Sequence, residues 1–228
     1  MIIVKDLHKS FGDAHILKGI STTFEKGKTN LIIGQSGSGK TVLLKCLLGL
    51  FKHEGGSISY EGRRFSKLSE DEKRELRADI GMVFQGSALF DSMTIAENVM
   101  FPLKMFTKMS KSEMQDRVDF VLKRVNLSDA HHKMPSEASG GMQKRVAIAR
   151  AFIPNPEVVL ADEPVASLDP AMSRSVLQSL KTASQHRCAT VICTLHQLDY
   201  ALELADVIIE LRQGEIYFDA LQLNLDEK

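Results

Sequence analysis

The sequence predicts an α/β fold, in which a core of alternating strands and helices is interrupted by an inserted helical segment. Three observations support this prediction. Short apolar runs alternate with longer helical patterns up to about residue 90. Strand patterns are scarce from Phe90 to about Pro154, and they return after that point. The chain has 228 residues, which is long enough for one such domain with an insert.

Each predicted element follows from a local pattern. Apolar runs rich in Leu, Ile and Val favour buried strands. They occur at residues 2–7, 29–34, 58–60, 80–84, 158–161, 190–194, 207–211 and 215–218. Helical spacing of apolar residues and good helix formers predict helices at residues 41–50, 69–77, 100–109, 112–125, 140–152, 171–183 and 197–204. Residues 212–214 predict a hairpin between the last two strands, and the tail from Leu221 is expected to be frayed.

Composition and charge exclude several classes of protein. Lys and Arg number 29 against 29 Asp and Glu, so the formal net charge is zero. This balance argues against a protein held on nucleic acid by a general basic surface. No apolar stretch approaches the length of a membrane span, and the N-terminus does not resemble a signal peptide. Cys46, Cys188 and Cys193 have no C-x-x-C spacing, so we expect buried thiols in a reducing cytoplasm.

Residues 34–41 match the phosphate-binding pattern G-x-x-x-x-G-K-[ST], between an apolar strand and a helix. Glycines allow close approach to phosphate oxygens, and N–H groups at a helix N-terminus supply partial positive charge. Lys40 would reach the β- and γ-phosphates, and the Thr41 hydroxyl would bind Mg²⁺. A turn before a core helix is the structural alternative. The candidate phosphate-binding residues are Gly34, Gln35, Ser36, Gly37, Ser38, Gly39, Lys40, Thr41 and Val42.

Two carboxylates end a second apolar strand, at residues 158–161. Acidic residues at the C-terminal end of such a strand fit the ligand crevice of an α/β sheet. Asp162 would bind Mg²⁺, and Glu163 would orient or deprotonate the attacking water. An acidic turn at a strand end is the structural alternative.

A serine and two glycines, Ser139, Gly140 and Gly141, stand at the start of a predicted helix. Ser139 is either an N-cap or part of an anion site at the helix N-terminus. The residues alone do not decide between these roles.

Six motifs in order make the chain resemble the nucleotide-binding subunit of an ABC transporter. They are Walker A at 34–41, the Q-loop Gln85, the signature at 139–143, Walker B at 158–162 with Glu163, the D-loop at 167–169 and the switch His196. The resemblance implies a P-loop NTPase (RecA-like) core sheet with an N-terminal antiparallel β subdomain. It also implies an inserted α-helical signature subdomain at about 90–154, within one nucleotide-binding domain over residues 1–228. The signature and His196 set the chain apart from P-loop kinases and GTPases.

The resemblance further implies a set of site residues. Glu163 would be the general base, with His196, Gln85 and Lys40 as the other catalytic residues. Magnesium would be held by Thr41, Gln85 and Asp162. Phe11 would stack on adenine, although without the resemblance a core or surface aromatic is the structural alternative. In a homodimer that sandwiches ATP, contacts to the partner's nucleotide would come from Ser139, Gly140, Gly141, Met142, Gln143 and Asp169.

Two motifs depart from the commonest family pattern. The signature has Ala138 and Met142 where Leu and Gln are usual, so an apolar side chain replaces a hydrogen-bonding one. The D-loop region begins with Val165 and Ala166 instead of Thr and Ser. Because Ser139 and Asp169 remain, neither change indicates an inactive site.

The most informative residues for the transporter subtype are 85–99, followed by 101–103. They resemble the ATPase of Mla-type systems (MCE-associated, organic-solvent-resistance), which move phospholipids between bacterial membranes. The resemblance implies a separate permease, an MCE-domain protein and a place on the cytoplasmic face of the inner membrane, with no nucleic-acid partner. In this family the segment meets the permease's coupling helix; packing of the helical segment is the structural alternative. Two other functions remain open: an importer of peptide, amino acid or oxyanion, or a soluble ABC ATPase outside transport.

Overall fold

The computed structural model describes residues 1–185, 189–196 and 204–221. Contacts divide the chain into two compact units, residues 1–77 with 190–228, and residues 78–189. The predicted helix at 197–204, apart from Leu204, lies outside the described residues, as do Cys188 and the tail after Leu221. In the parts that are described, no helix is long and apolar enough to cross a membrane.

The chain is built from both strands and helices, which confirms the predicted α/β class. The strands are β1 (Ile2–Phe11), β2 (Ala14–Phe24), β3 (Thr29–Ile33), β4 (Gly55–Tyr60), β5 (Arg63–Arg64), β6 (Ile80–Val83), β7 (Val158–Asp162), β8 (Thr190–Leu195), β9 (Val207–Arg212) and β10 (Glu215–Leu221). The helices are α1 (Lys40–Leu47), α2 (Glu70–Ala78), α3 (Ile95–Phe106), α4 (Lys111–Arg124), α5 (Gly140–Phe152) and α6 (Pro170–Gln185).

The first unit contains an antiparallel sheet with the strand order β2-β1-β4-β5. The sequence patterns predict β1 only as far as Leu7, and they do not predict β2. The pairing of β1 with β2 shifts register at three places, so the buried Leu17 and Ile20 lie three residues apart instead of two. These irregularities break the alternation by which a half-buried strand is recognised.

The first unit also holds strands in the order β10-β9-β3-β8. Strand β3 runs parallel to both β8 and β9, and β9 pairs antiparallel with β10 as the predicted hairpin requires. All six residues of β8 are buried, and so are four of the five in β3. Such continuous burial is typical of central parallel strands, and it explains why these two were readily predicted.

The second unit pairs β6 with β7 in parallel and packs α5 against α3, α4 and α6. The helix predicted at 100–109 begins five residues earlier, at Ile95, and ends at Phe106. The earlier start follows from a capping box: Thr94 Oγ1 accepts from Glu97 N at 3.2 Å, and the Glu97 carboxylate accepts from Thr94 N at 2.8 Å. Between residues 90 and 154 the chain forms helices and no strand.

Candidate active site

Close packing around two glycines shapes the loop between β3 and α1. Gly39, which precedes α1, has φ +110°, and a Cβ there would lie 2.9 Å from Leu17 Cδ2. A Cβ on Gly34 would lie 2.3 Å from Leu211 O, the backbone of β9. Only glycine satisfies both constraints, so the loop can hold a tight turn against its neighbouring strand.

Two of the predicted site residues meet at this loop. Lys40 is buried, and its Nζ donates to Gly34 O at 2.8 Å and to Gln35 O at 3.0 Å. His196 Nδ1 lies 3.3 Å from Lys40 Nζ and 3.2 Å from Gly34 O. These two contacts require opposite protonation of Nδ1, so only one is a hydrogen bond at a time. The first unit therefore brings to the phosphate loop the Lys40 ammonium and the His196 ring, whose Nδ1 donates or accepts according to its protonation.

Ser38 supplies a further polar atom in the same loop. Its Oγ is buried and has no hydrogen-bond partner, while its backbone O accepts from Gly214 N at 3.1 Å. A buried hydroxyl without a partner is rare and needs an explanation. Such a hydroxyl, together with the glycine-lined backbone and the Lys40 ammonium, fits the oxygens of a nucleotide's phosphates.

A cavity of about 600 Å³ opens beside the phosphate loop, and the first unit alone forms its walls. The volume lies within the usual range for small-molecule sites. The lining residues come from the loop, from β2 and from the β9–β10 hairpin: Lys18, Gln35, Ser36, Gly37, Ser38, Glu210, Leu211, Arg212, Gln213, Glu215, Ile216 and Tyr217.

The second unit brings Gln85 and Glu163 together. Strands β6 and β7 are parallel, with Val83 opposite Ala161, so Gln85 and Glu163 both follow the same sheet edge. Gln85 Nε2 donates to Glu163 Oε2 at 3.1 Å. Asp162 and Glu163 are both buried, and Glu163 has φ +45°, a conformation uncommon for a residue other than glycine. Strain of this kind is characteristic of functional sites.

The residues predicted to hold Mg²⁺ all offer oxygen ligands: the Thr41 hydroxyl, the Gln85 amide oxygen and the Asp162 carboxylate. Since the Gln85 amide nitrogen donates to Glu163, the amide oxygen is the atom that can bind a cation. Oxygen donors of this kind suit Mg²⁺, which binds through one or two protein ligands with phosphate and water. The donor set therefore fits the metal. Thr41 belongs to the first unit, and Gln85 and Asp162 belong to the second.

Lys144, on α5, is a site residue that the sequence patterns do not predict. Its side chain is buried, and its Nζ donates to the backbone O of Gln85. Burial lowers the pKa of the Lys144 ammonium, and the nearby charge of Glu163 opposes that shift. The sequence gives one indication of this role: Lys144 stands in a helix that is otherwise apolar on several faces. A lysine buried in such a helix requires a polar partner.

The signature residues begin α5. Ser139 Oγ accepts from Met142 N at 3.3 Å, so within one chain Ser139 is an N-cap. Ser139 and Gly140 are exposed. Gly141 is packed so closely on α6 that a Cβ would lie 2.2 Å from Met172 Sδ. Gln143 Nε2 donates to Pro135 O at 2.9 Å, which holds the preceding turn.

Two other predicted residues have clear local contacts. Phe11 is 46% exposed, with its ring edge-on to Phe51 at 5.2 Å and Lys9 Nζ 4.7 Å from its centroid. A half-exposed ring can accept a stacking partner, so adenine stacking stays a prediction. Asp169 Oδ1 accepts from Met172 N at 2.9 Å, which caps α6. This capping role is visible within one chain, and a dimer role for Asp169 stays a prediction.

The segment after Gln85 is held by the side chain of Arg150. Arg150, on α5, donates to Ser87 O and to Ala88 O, each at 2.7 Å. Ser87 and Ala88 have φ values of +62° and +48°. Phe90 is exposed, and its ring lies 4.8 Å from that of Phe101. The segment therefore offers an aromatic surface on a well-anchored turn.

Comparison with known proteins identifies the family. A family model described as ABC transporter matches residues 17–166. The chain is 41% identical over 236 residues to the phosphonates import ATP-binding protein PhnC of Hydrogenovibrio crunogenus, covering 100% of this chain and 86% of that protein. It is 40% identical over 219 residues to the arginine transport ATP-binding protein ArtM of Bacillus subtilis, covering 96% of this chain and 90% of that protein.

A solved structure gives the same result. The dimeric, post-hydrolysis ATP-binding cassette MJ0796 with bound ADP and Pi matches this fold with a TM-score of 0.88. The two chains are 32% identical, and the match covers 99% of this chain and 100% of that one. The two sequence relatives do not support the expected closeness to the Mla-type phospholipid ATPase, because their names describe transport of other solutes. The chain belongs to the ABC transporter ATP-binding family, and it is an ATPase that uses ATP and Mg²⁺.

Proposed function

We propose that this chain is the ATP-hydrolysing subunit of an importer for a small polar solute, acting with a separate membrane permease. The observation that carries this proposal is the identity of 41% to a phosphonates import protein along the full chain. The second relative is a transport protein for arginine, another small polar solute. In this proposal residues 1–228 form one nucleotide-binding domain at the inner face of the membrane.

Within this function, the phosphate loop binds the nucleotide. The Lys40 ammonium, now held by the carbonyls of Gly34 and Gln35, exchanges those weak acceptors for the β- and γ-phosphates. A phosphate is the better partner because its negative charge attracts the ammonium more strongly than the partial charge of a carbonyl oxygen does. His196 contacts the γ-phosphate, and the Ser38 hydroxyl gains the partner that it lacks.

Glu163 is the proposed general base. The hydrogen bond from the Gln85 amide to Glu163 Oε2 orients the carboxylate, and in this proposal the carboxylate accepts a proton from the attacking water. Thr41, Gln85 and Asp162 are the residues that would hold Mg²⁺, which would supply positive charge to offset the charge of the phosphates. Burial of Asp162 and Glu163 limits the screening of these charges by solvent.

A homodimer completes this proposal. The dimeric state of the MJ0796 cassette supports the pairing of two copies. In this pairing the exposed Ser139 and Gly140 would face the ATP of the second copy. Phe11 stacks on adenine. The other residues proposed to face the partner's nucleotide are Gly141, Met142, Gln143 and Asp169.

Phospholipid transport is the second candidate function. The observation that favours it is the pattern of residues 85–99 and 101–103, which resembles that of Mla-type ATPases. The exposed Phe90 in this segment would contact the coupling helix of the permease. An MCE-domain protein would then belong to the same assembly.

The test is co-purification of this chain with a membrane permease, followed by reconstitution of the complex. The purified complex in liposomes is assayed for ATP hydrolysis and for uptake of radiolabelled methylphosphonate, arginine or a fluorescent phospholipid. Stimulation by one of the small solutes, with its binding protein present, is the expected result. Stimulation or movement of the phospholipid alone would reject solute import in favour of the second candidate. Failure to form a complex with any membrane protein would favour an ATPase outside transport.

A further inference from the structure

We propose that Lys144 is a positioning residue for ATP hydrolysis, which holds Gln85 where its amide can fix the Glu163 carboxylate. This inference rests on the roles proposed above for Gln85 and Glu163. It adds a residue that none of the six sequence motifs assigns as a catalytic or binding residue.

The contacts of Lys144 form a short chain of interactions. Its Nζ donates to the backbone O of Gln85, and the Gln85 side chain donates to Glu163 Oε2 at 3.1 Å. Lys144 is only 7% exposed. A buried ammonium is costly unless polar groups surround it, so these contacts stabilise one arrangement of all three residues. The carboxylate of Glu163 adds an attraction over a longer distance.

A second basic residue extends the attachment. Arg150 lies six positions further along α5 and donates to Ser87 O and Ala88 O. The turn after β6 is therefore attached to α5 at Gln85 and again at residues 87 and 88. Since Ser139 caps the same helix, a displacement of the signature end would also displace Gln85.

Lys144 and its neighbour Arg145 make a matched pair for mutation. Arg145 Nη1 donates to the carbonyls of Val125 and Asn126, at the end of α4, and not to Gln85. A variant at Arg145 thus removes a basic side chain from the same helix turn without touching the proposed chain of contacts.

The experiment compares Lys144→Met, Lys144→Gln, Lys144→Arg and the control Arg145→Met for ATP hydrolysis and for affinity toward a fluorescent ATP analogue. We expect Lys144→Met to lower kcat by about ten- to a hundredfold, because misplacement by about 1 Å can cost a hundredfold. Affinity for the analogue and KM should change less than about threefold, since the phosphate loop is unaltered. Lys144→Arg should restore most of the rate, and Arg145→Met should keep kcat within about threefold.

Three results would overturn the inference. One is hydrolysis by Lys144→Met within about twofold of the unaltered chain. Another is a loss of nucleotide affinity in proportion to the loss of rate, which would indicate general damage. The third is additivity with Gln85→Ala, because a residue acting through Gln85 must show coupling in the double variant. If Lys144→Met does not fold, Lys144→Gln replaces it. Because its amide donor is uncharged and one bond shorter, kcat should fall at least about threefold with affinity unchanged, and a smaller fall overturns the inference. Normal hydrolysis by Glu163→Gln would instead reject the proposed base itself.

Discussion

Asn98 anchors the turn between β6 and α3, and its removal gives the most specific stability prediction. The side chain is completely buried at 0% exposure. Its Oδ1 accepts from Phe90 N at 2.8 Å. Its Nδ2 donates to the carbonyls of Phe90, Met93 and Thr94 at 3.0, 3.0 and 3.1 Å. The two N–H groups of the amide are thus shared among three backbone carbonyls, while its oxygen satisfies one backbone donor.

The substitution Asn98→Ala removes all four bonds. Each hydrogen bond contributes about 0.5–1.5 kcal/mol net, and a buried group left unpaired costs about 1–3 kcal/mol. Water that enters the space left by the amide would restore part of this loss. We therefore expect the free energy of unfolding to fall by about 2–4 kcal/mol, because part of the four-bond total is recovered by water. For a chain of this size, that corresponds to a fall in Tm of about 5–15 °C.

Urea unfolding followed by circular dichroism measures this change directly. The control is Gln115→Ala, which removes an exposed amide that donates to Asp119 at 2.8 Å. It should cost about 0.5 kcal/mol or less, as an exposed pair on a helix does. Proteolysis between residues 85 and 94 should also be faster in Asn98→Ala. A loss of stability no larger than that of the control would refute the anchoring role.

Three other predictions concern binding, assembly and reactivity. Lys40→Ala should abolish ATP hydrolysis by weakening phosphate binding, measured with a fluorescent ATP analogue; binding and hydrolysis at the unaltered level would reject the phosphate-loop assignment. Phe90→Asp should leave ATP binding unchanged and reduce co-purification with the permease, because it places a charge on an exposed aromatic surface; normal assembly would contradict the docking role. Burial raises the pKa of Cys46 to about 11, so at pH 8 only about one thiol in a thousand is ionised. Mass spectrometry should find Cys46 alkylated far more slowly in the native than in the unfolded protein, and equal rates would contradict its burial.

Sequence patterns predict most of the fold because the central strands are buried and largely apolar. Strands β3 and β8 are buried on both faces, so their runs of apolar residues need no knowledge of neighbours. The patterns do not predict strand β2, because its pairing with β1 contains register shifts that mask the alternation. They place the start of α3 too late, because the capping box at Thr94 begins the helix before the helical pattern at residue 100.

Some residues of the candidate site are implied by the sequence motifs, and others are not. The structure brings Lys40 to His196 and Gln85 to Glu163, and the resemblance to the family implies all four as catalytic residues without pairing them. Lys144 and Asn98 act through backbone carbonyls, and Lys144 bonds to a carbonyl 59 positions away in the chain. A bond from a side chain to the backbone leaves no residue pattern at the accepting position, because every residue offers a carbonyl. Sequence patterns therefore cannot show these contacts, which are visible only in the structure.

The central claim, that Glu163 activates the water that attacks ATP, has a direct test in the variant Glu163→Gln. The amide is nearly isosteric with the carboxylate but cannot accept the proton. The measurement is steady-state ATP hydrolysis, together with equilibrium binding of ATP and sizing in ATP and Mg²⁺. We predict that binding persists, that dimer accumulates, and that kcat falls by about a hundredfold or more, the usual contribution of a general base. Hydrolysis within about threefold of the unaltered chain, with only monomer on sizing, would contradict the assignment.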